Sequence, residues 1–403
     1  MILEHVQIYC PDHHFRSGRI RIRNDRIEEL SLTEKRTGAA TEGEEILDGG
    51  GALAIPGMID LHFHGCLGKD ICDGSADALD VLSAFEASIG VTAIAPAMMT
   101  LGKEDLLRTL KRAAAFACAQ KGAAAENQME TAYSRQAALI GINMEGPFIS
   151  PVKKGAQDER FILPCDAGLA AEFLRTSEGL VKIIGLAPEE DGGKGRDTVL
   201  QYIREMKGKV HISLAHTNAD YDTAKAAIDA GADHAVHLFN AMPAFHHRDP
   251  GVVGAVADSP QVMAELITDG IHVHPAMVRS AFRLLGAERI VLISDSVCGT
   301  GMPDGEYTLG GNSFRKAGKR CTMVRDGAIA GSVTPLPEGF RTAVLEMGIP
   351  LEDAVRCATE NPAKVLGVFG ERGSLEAGKI ADLVLLDPDD LSLKQVILRG
   401  QPL

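Results

Sequence analysis

Between Pro56 and about residue 297 the chain repeats one arrangement eight times: a short apolar stretch ending in polar residues, followed in most cases by an alanine- and leucine-rich segment. The apolar stretches are Met58 to His64, Val91 to Ala97, Leu139 to Glu145, Val181 to Leu186, Val210 to His216, His234 to Leu238, Val262 to Thr268 and Ile290 to Asp295. Intervening segments such as SADALDVLSAFEASIG, KEDLLRTLKRAAAFACAQ and ADYDTAKAAIDAGA open on Ser, Lys-Glu-Asp or Ala-Asp and space their apolar residues by three and four, as helices that cover one face do. Strand alternating with helix calls for a parallel sheet, and eight such units predict an α/β fold closed into a (β/α)8 TIM-type barrel. In that architecture the reactive side chains stand at the C-terminal ends of the strands.

The flanks have a different character. HVQIYC, GRIRIRNDRIEEL and EEILDGGGALAIPG alternate apolar and polar residues between glycine or charged breaks, and the tail GSLEAGKIADLVLLDPDDLSLKQVILRGQPL returns to strand character. Residues 1–55 and 374–403 are therefore expected to build one small β-sandwich domain, and residues 56–373 the metal-dependent barrel. A glycine-rich stretch after the eighth barrel strand and two further helices complete the expected order.

The strand ends carry the chemistry. His62 and His64 stand one residue apart in PGMIDLHFHGCLG, so in an extended strand they share a face. That pair alone reads equally well as two hydrogen-bonded core histidines. Strand three, however, ends in Glu145, strand five in His216, strand six in His237 and strand eight in Asp295. A closed barrel brings all of these to one mouth. Ionisable groups buried there without a cation would cost several kcal/mol each, whereas nitrogen and oxygen ligands of this kind suit zinc, iron or manganese.

Charge and cysteine content narrow the function. The 403 residues carry a formal charge of −14, which argues against nucleic acid as partner but leaves room for a small anionic substrate held by a few local donors. No window reaches the roughly 18 apolar residues of a membrane helix, and Met1-Ile2-Leu3-Glu4-His5 does not open a secretory leader, so no membrane partner and a cytoplasmic location are expected. Cys10, Cys66, Cys72, Cys118, Cys165, Cys298, Cys321 and Cys357 form no CxxC pair and are expected to be free thiols, Cys66 as a small packing residue. Lys153-Lys154, His13-His14 and His246-His247 read as solvated loop residues, with His247 near enough to Arg248 to touch a phosphate.

PGMIDLHFHG resembles the entry motif of the amidohydrolase superfamily. MEGPF, AHTNA, HLFNAMPAFHHRDPG, ITDGIHVHP and LISDS, in this order, resemble its N-acetylglucosamine-6-phosphate deacetylase branch, and the likeness runs through to GSLEAGKIADLVLLD. The resemblance implies Glu145, His216 and His237 as principal metal ligands, His62 and His64 as ligands of a second site that some members lack, and Asp295 as the catalytic acid and base. It implies sugar-phosphate contacts from Ala156, Gln157, Asn240, Ala241, Arg248, His272, Ile329, Ala330 and Gly331. At the place of Gln157 some members carry histidine, and threonine usually precedes the aspartate where Ser294 stands here.

The implied cofactor is a divalent metal, zinc or iron, with one or two ions per chain. The implied reaction is hydrolysis of the acetamide of a sugar phosphate, with Asp295 taking a proton from water and returning it to the departing nitrogen. His64 or His272 would help stabilise the carbonyl oxygen. In relatives the arginine matching Arg248 reaches a neighbouring subunit, which implies a homodimer. Two alternatives remain beside this reading. One is a different metal amidohydrolase, such as a deaminase, dipeptidase or cyclic amidase; those with a carboxylated lysine place it on strand four, where only Lys182 stands, at the wrong end. The other is a scaffold that kept the barrel without its chemistry, which would be expected to lack a ligand or Asp295.

Overall fold

The computed structural model describes residues 1–32, 44–125 and 132–403. All eight barrel strands form. Seven of them run in one sheet in the order Ala97–Met98, Ile142–Phe148, Val181–Leu186, His211–Leu214, His234–Ala235, Met263–Ile267 and Ile290–Ile293, each pair parallel. The first strand, Met58–Asp60, pairs in parallel with Val91–Ile94, the lower part of strand two. Closure comes from strand eight returning to strand one: Asp295 N–H donates to His62 O at 2.9 Å, and His64 and Gly65 N–H donate to Ser296 O at 2.7 and 3.1 Å. His62 and His64 therefore lie past the last paired residue of strand one, on a segment held by this seam.

The period of two sorts the side chains. Ile59, Leu61, Ala93, Ala95, Ile183, Ile267, Val291 and Ile293 fill the barrel, and Val365 and Leu366 pack against them. Their alternates, such as Ile290 and Leu292, join the larger core shared with the surrounding helices. Burial of one such aliphatic side chain is worth about 1.5–3 kcal/mol. Helices Ala167–Thr176 and Tyr221–Ala230 begin where Asp166 and Asp220 accept the N–H of Leu169 and Thr223. Pro275 opens helix Pro275–Leu285, which buries Val278, Ala281 and Leu285 along one stripe.

Two features depart from the sequence reading. After strand eight the glycine-rich stretch folds into an antiparallel sheet, Gly305–Leu309, Asn312–Ala317 and Arg320–Met323. It buries Leu309, Phe314, Cys321 and Met323 against Met99, Val297 and Cys298, and so walls one side of the barrel mouth. Three helices follow where two were expected: Leu336–Leu345, Leu351–Ala358 and Glu360–Val365, the last separated by a non-helical Thr359.

The chain ends meet in an eight-stranded sheet, joined where Leu53–Pro56 pairs antiparallel with Leu383–Leu386. This sheet is one curled ladder whose edge strand Arg26–Ser31 meets the segment leading into Leu383–Leu386, with Ile27 N–H donating to Lys379 O at 2.9 Å and Ala381 N–H to Asp25 O at 2.7 Å. Leu3, Ile8, Ile20, Ile27, Leu383 and Ile397 share the core inside the curl. All eight cysteines are free. Among the described residues no helix is long and apolar enough to cross a membrane.

Candidate active site

Three strand ends leave the sheet through a left-handed residue: His216 at φ +42°, His237 at +26° and Asp295 at +49°. An L-residue in this conformation costs about 1–2 kcal/mol, so the surrounding contacts must impose it. The result is convergence. Glu145, His216 and His237 form one buried group, and His62, His64 and Asp295 a second, with the ligand atoms of each within 4.8 Å of one another.

Hydrogen bonds on the far side of each imidazole fix what faces inward. His216 Nδ1 lies 2.8 Å from Lys153 O, His237 Nδ1 3.2 Å from Asn240 O, and His64 Nδ1 3.0 Å from Ala97 O. Carbonyl oxygens only accept, so each Nδ1 carries a proton and, in the neutral ring, each Nε2 presents a lone pair. His62 Nδ1 sits 2.6 Å from Glu265 Oε2 and leaves its Nε2 buried without a hydrogen-bond partner. Two of these lone-pair nitrogens, on His216 and His237, face each other at 3.2 Å, with Glu145 Oε1 2.8 Å from the first and 3.1 Å from the second. His64 Nε2 stands 3.3 Å from Asp295 Oδ1 and 3.5 Å from Glu145 Oε2. Acceptors crowded on acceptors repel unless a cation stands among them, so the donor set fits a divalent metal at both groups.

The electrostatics point the same way. Burial would lower the His62 imidazole, but Glu265 first and then Glu145 and Asp295 overcome it and lift its pKa to about 10. Burial would raise the Glu145 carboxyl, and the facing His216, His237 and His64 hold it well below the usual carboxylate range. The cage thus draws positive charge by whatever means is at hand.

Beside the cage opens a cavity of about 410 Å³. His64, Glu145, His216, His237 and Asp295 form its floor; Ala156, Gln157, Asn240, Ala241, His272, Ile329 and Gly331 line its sides. Ala330 is fully buried between two of these lining residues. Gln157 donates from Nε2 to Glu145 Oε2 at 2.6 Å and accepts Thr100 N–H at 2.6 Å, which fixes both the amide and the carboxylate. His272 Nδ1 is held at 2.7 Å by Asp269, leaving Nε2 for the cavity. Arg248 is not in the wall: it is exposed on a tight turn at residues 246–249, with Nη1 2.8 Å from His247 Nε2. Lys153, read from sequence as solvated, does line the cavity, with Nζ 3.2 Å from Met242 O. Lys154 pairs with Glu159 instead.

Comparison with known proteins settles the lineage, because residues 53–403 match the amidohydrolase family. The chain belongs to the amidohydrolase family. Among amidohydrolases it is 34% identical over 390 residues to N-acetylglucosamine-6-phosphate deacetylase of Bacillus subtilis, covering 96% of this chain and 93% of that one. It is 35% identical over 350 residues to N-acetylgalactosamine-6-phosphate deacetylase of Escherichia coli O157:H7, covering 87% of each. In structure it is similar to a mutant N-acetyl-D-glucosamine-6-phosphate deacetylase of Mycobacterium smegmatis in complex with N-acetyl-D-glucosamine-6-phosphate, with a TM-score of 0.86, 32% identity, and 100% of this chain and 98% of that one covered.

Sequence reasoning missed the layer behind the amidohydrolase cage. Glu265 and Asp269 are buried and bonded to the cage residue His62 and the cavity residue His272, and Asn143 and His234 are buried and bonded to Glu265; of the four only Asp269 follows the end of an apolar run. The signal was an acidic residue in the middle of VMAELIT, where a barrel strand should be apolar.

Proposed function

We propose that this protein hydrolyses the acetamide of N-acetyl-D-glucosamine 6-phosphate, giving D-glucosamine 6-phosphate and acetate in amino-sugar breakdown. The observation that carries the reading is the cage of inward-facing Nε2 lone pairs and carboxylates on the floor of a sugar-sized cavity. Relatives that act on N-acetylhexosamine phosphates at 34–35% identity over most of the chain support it. Glu145, His216 and His237 would hold one divalent ion and His62, His64 and Asp295 a second, zinc or iron being the metals these ligands suit. When bound, the ion supplies positive charge that polarises the amide carbonyl and brings the pKa of a water down to roughly 7.

The protein's own groups do the rest. Asp295 accepts the proton of the water as its oxygen bonds to the acetyl carbon, then delivers that proton to the amide nitrogen as the C–N bond breaks. Positions near 3–4 Å from two cage histidines keep Asp295 ionised: burial opposes this, but His64 and then His62 hold its carboxyl below the ordinary value. His272, fixed by Asp269, and Gln157, fixed by Thr100, offer hydrogen bonds to the sugar, as do the main-chain groups of Ala156, Asn240, Ala241 and Ile329 to Gly331.

Arg248 fits the phosphate of a neighbouring subunit's substrate: it is exposed, outside its own cavity wall and suited to bidentate anion binding. The protein would then act as a homodimer. Residues 1–55 with 374–403 would form the small domain and 56–373 the barrel.

The relative acting on the galactosamine epimer favours a second substrate, N-acetyl-D-galactosamine 6-phosphate. Acetate release from both epimers by purified protein, before and after chelation, tests the reading. Turnover of the glucosamine epimer that is lost to chelator and recovered with zinc or iron is expected. Turnover of the galactosamine epimer alone would transfer the assignment, and no acetate from either with metal bound would overturn it.

A further inference from the structure

Glu265 lies within strand seven, has no exposed surface, and takes no part in the cavity wall. Its two oxygens face four N–H groups. Oε2 accepts from His62 Nδ1 at 2.6 Å and from the His237 backbone N–H at 3.2 Å; Oε1 accepts from His234 Nε2 at 2.9 Å and from Asn143 Nδ2 at 3.2 Å. It therefore reaches both ligand groups by different routes, through a ligand side chain in one and only through main chain in the other.

That difference matters because the other three cage imidazoles are oriented by carbonyl oxygens of Ala97, Lys153 and Asn240. Only His62 owes its tautomer to an ionised side chain. A carboxylate behind a ligating imidazole fixes the proton on the far nitrogen and makes the near one a stronger donor to metal, and losing such a partner typically weakens metal binding 10- to 100-fold.

We propose that Glu265 is the positioning residue that makes His62 a metal ligand, so that the ion held by His62, His64 and Asp295 depends on it while the ion held by Glu145, His216 and His237 does not. The inference rests on the metal-dependent reading above. Glu265 touches no substrate and no reacting atom; it acts by keeping the His62 Nε2 lone pair directed into the cage. Glu265→Gln preserves volume and leaves one carbonyl oxygen for the His62 and His237 donors, but removes the charge. His234 and Asn143, which meet the new NH₂ group, have a second tautomer and a second amide orientation with which to accept it.

The experiment is titration of the metal-stripped full-length protein with cobalt(II), with elemental analysis after dialysis, for wild type and Glu265→Gln. Wild type is expected to take two ions. The variant should keep the first with affinity within about threefold and bind the second about 10- to 100-fold more weakly. Equal affinities for both ions in the two proteins would overturn the proposal. A wild type that binds one ion and still releases acetate would also overturn it while leaving the deacetylase reading intact. Should the variant not fold, long-range ¹H–¹⁵N spectra of the zinc-loaded wild type decide: a proton on His62 Nδ1 with Nε2 bound to metal is expected, and a proton on Nε2 refutes it.

Discussion

Replacing Gly331 with alanine tests how tightly the wall of the cavity holds Asp295. Gly331 has φ +60°, and a Cβ placed there would lie 2.5 Å from Val297 Cγ1, 3.0 Å from Asp295 O and 3.8 Å from Asp295 Oδ1. Carbon atoms at optimal separation stand about 3.5–4.0 Å apart, so Val297 or Gly331 must move by roughly 1 Å. Both neighbours are tied to strand eight, since Ser332 N–H donates to Asp295 O at 2.7 Å and Val297 N–H to Ser332 O at 2.9 Å. The left-handed alanine costs about 1–2 kcal/mol and the overlap about 1–3 kcal/mol, together about 2–5 kcal/mol. At about 2.1 cal/mol/K per residue over a chain of 403 residues, that is a fall of about 2–6 °C in Tm. Displacement of the Asp295 carboxylate by even 1 Å would lower kcat on the order of 10²-fold. Differential scanning calorimetry and initial rates of acetate release measure the two effects on the same sample. A variant with an unchanged Tm and kcat within threefold of wild type would show that Asp295 is not positioned by this contact.

Other outcomes follow from the same geometry. Asp295→Asn keeps the shape of the cage and removes the proton acceptor, so kcat should drop about 10²- to 10⁴-fold with metal still found by elemental analysis; near-normal turnover would remove Asp295 from the proton path. Arg248→Ala should raise KM far more for the phosphorylated than for the unphosphorylated sugar, and an equal rise for both would detach Arg248 from the phosphate. Asp269 and His272 give a pH signature. Burial opposes both charges, but their mutual hydrogen bond holds the Asp269 carboxyl below and the His272 imidazole above its ordinary value. Asp269 then stabilises the fold above about pH 3.9, a contribution lost as pH falls through its lower folded value; His272 contributes below about pH 6.5, and loses it as pH rises through its higher folded value. The Tm gap between wild type and Asp269→Asn should therefore be widest between about pH 4 and 6.5, and a gap flat from pH 3 to 9 would contradict the pairing.

What could be read from the residues depended on where each lay relative to a strand end. Glu145, His216, His237 and Asp295 stood out because an apolar run stops at each, and a closed barrel leaves such residues one place to go. Glu265 sits inside a run, so its neighbours' hydrophobicity masked it, and only the fold puts it behind His62. The sheet at 305–323 was hidden for another reason: its glycines and charges are those of a loop, and its few buried residues, Leu309, Phe314, Cys321 and Met323, find partners only across the barrel mouth. Nor did any residue type announce the left-handed backbone at His216, His237 and Asp295, since that conformation is imposed from outside the local sequence.

The seam between the first and last barrel strands sets a timetable for the making of this protein. His62 and His64 emerge early in synthesis, whereas Asp295, whose N–H closes onto His62 O, follows more than half the chain later. Contacts this distant in sequence form late, because the loop between them must be ordered first. A nascent chain thus carries an incomplete pair of histidines through most of translation, and the second ion proposed for His62, His64 and Asp295 would be captured only once the barrel shuts. Metal loading would then report completion of the fold, and a truncated chain ending before strand eight should never acquire that ion.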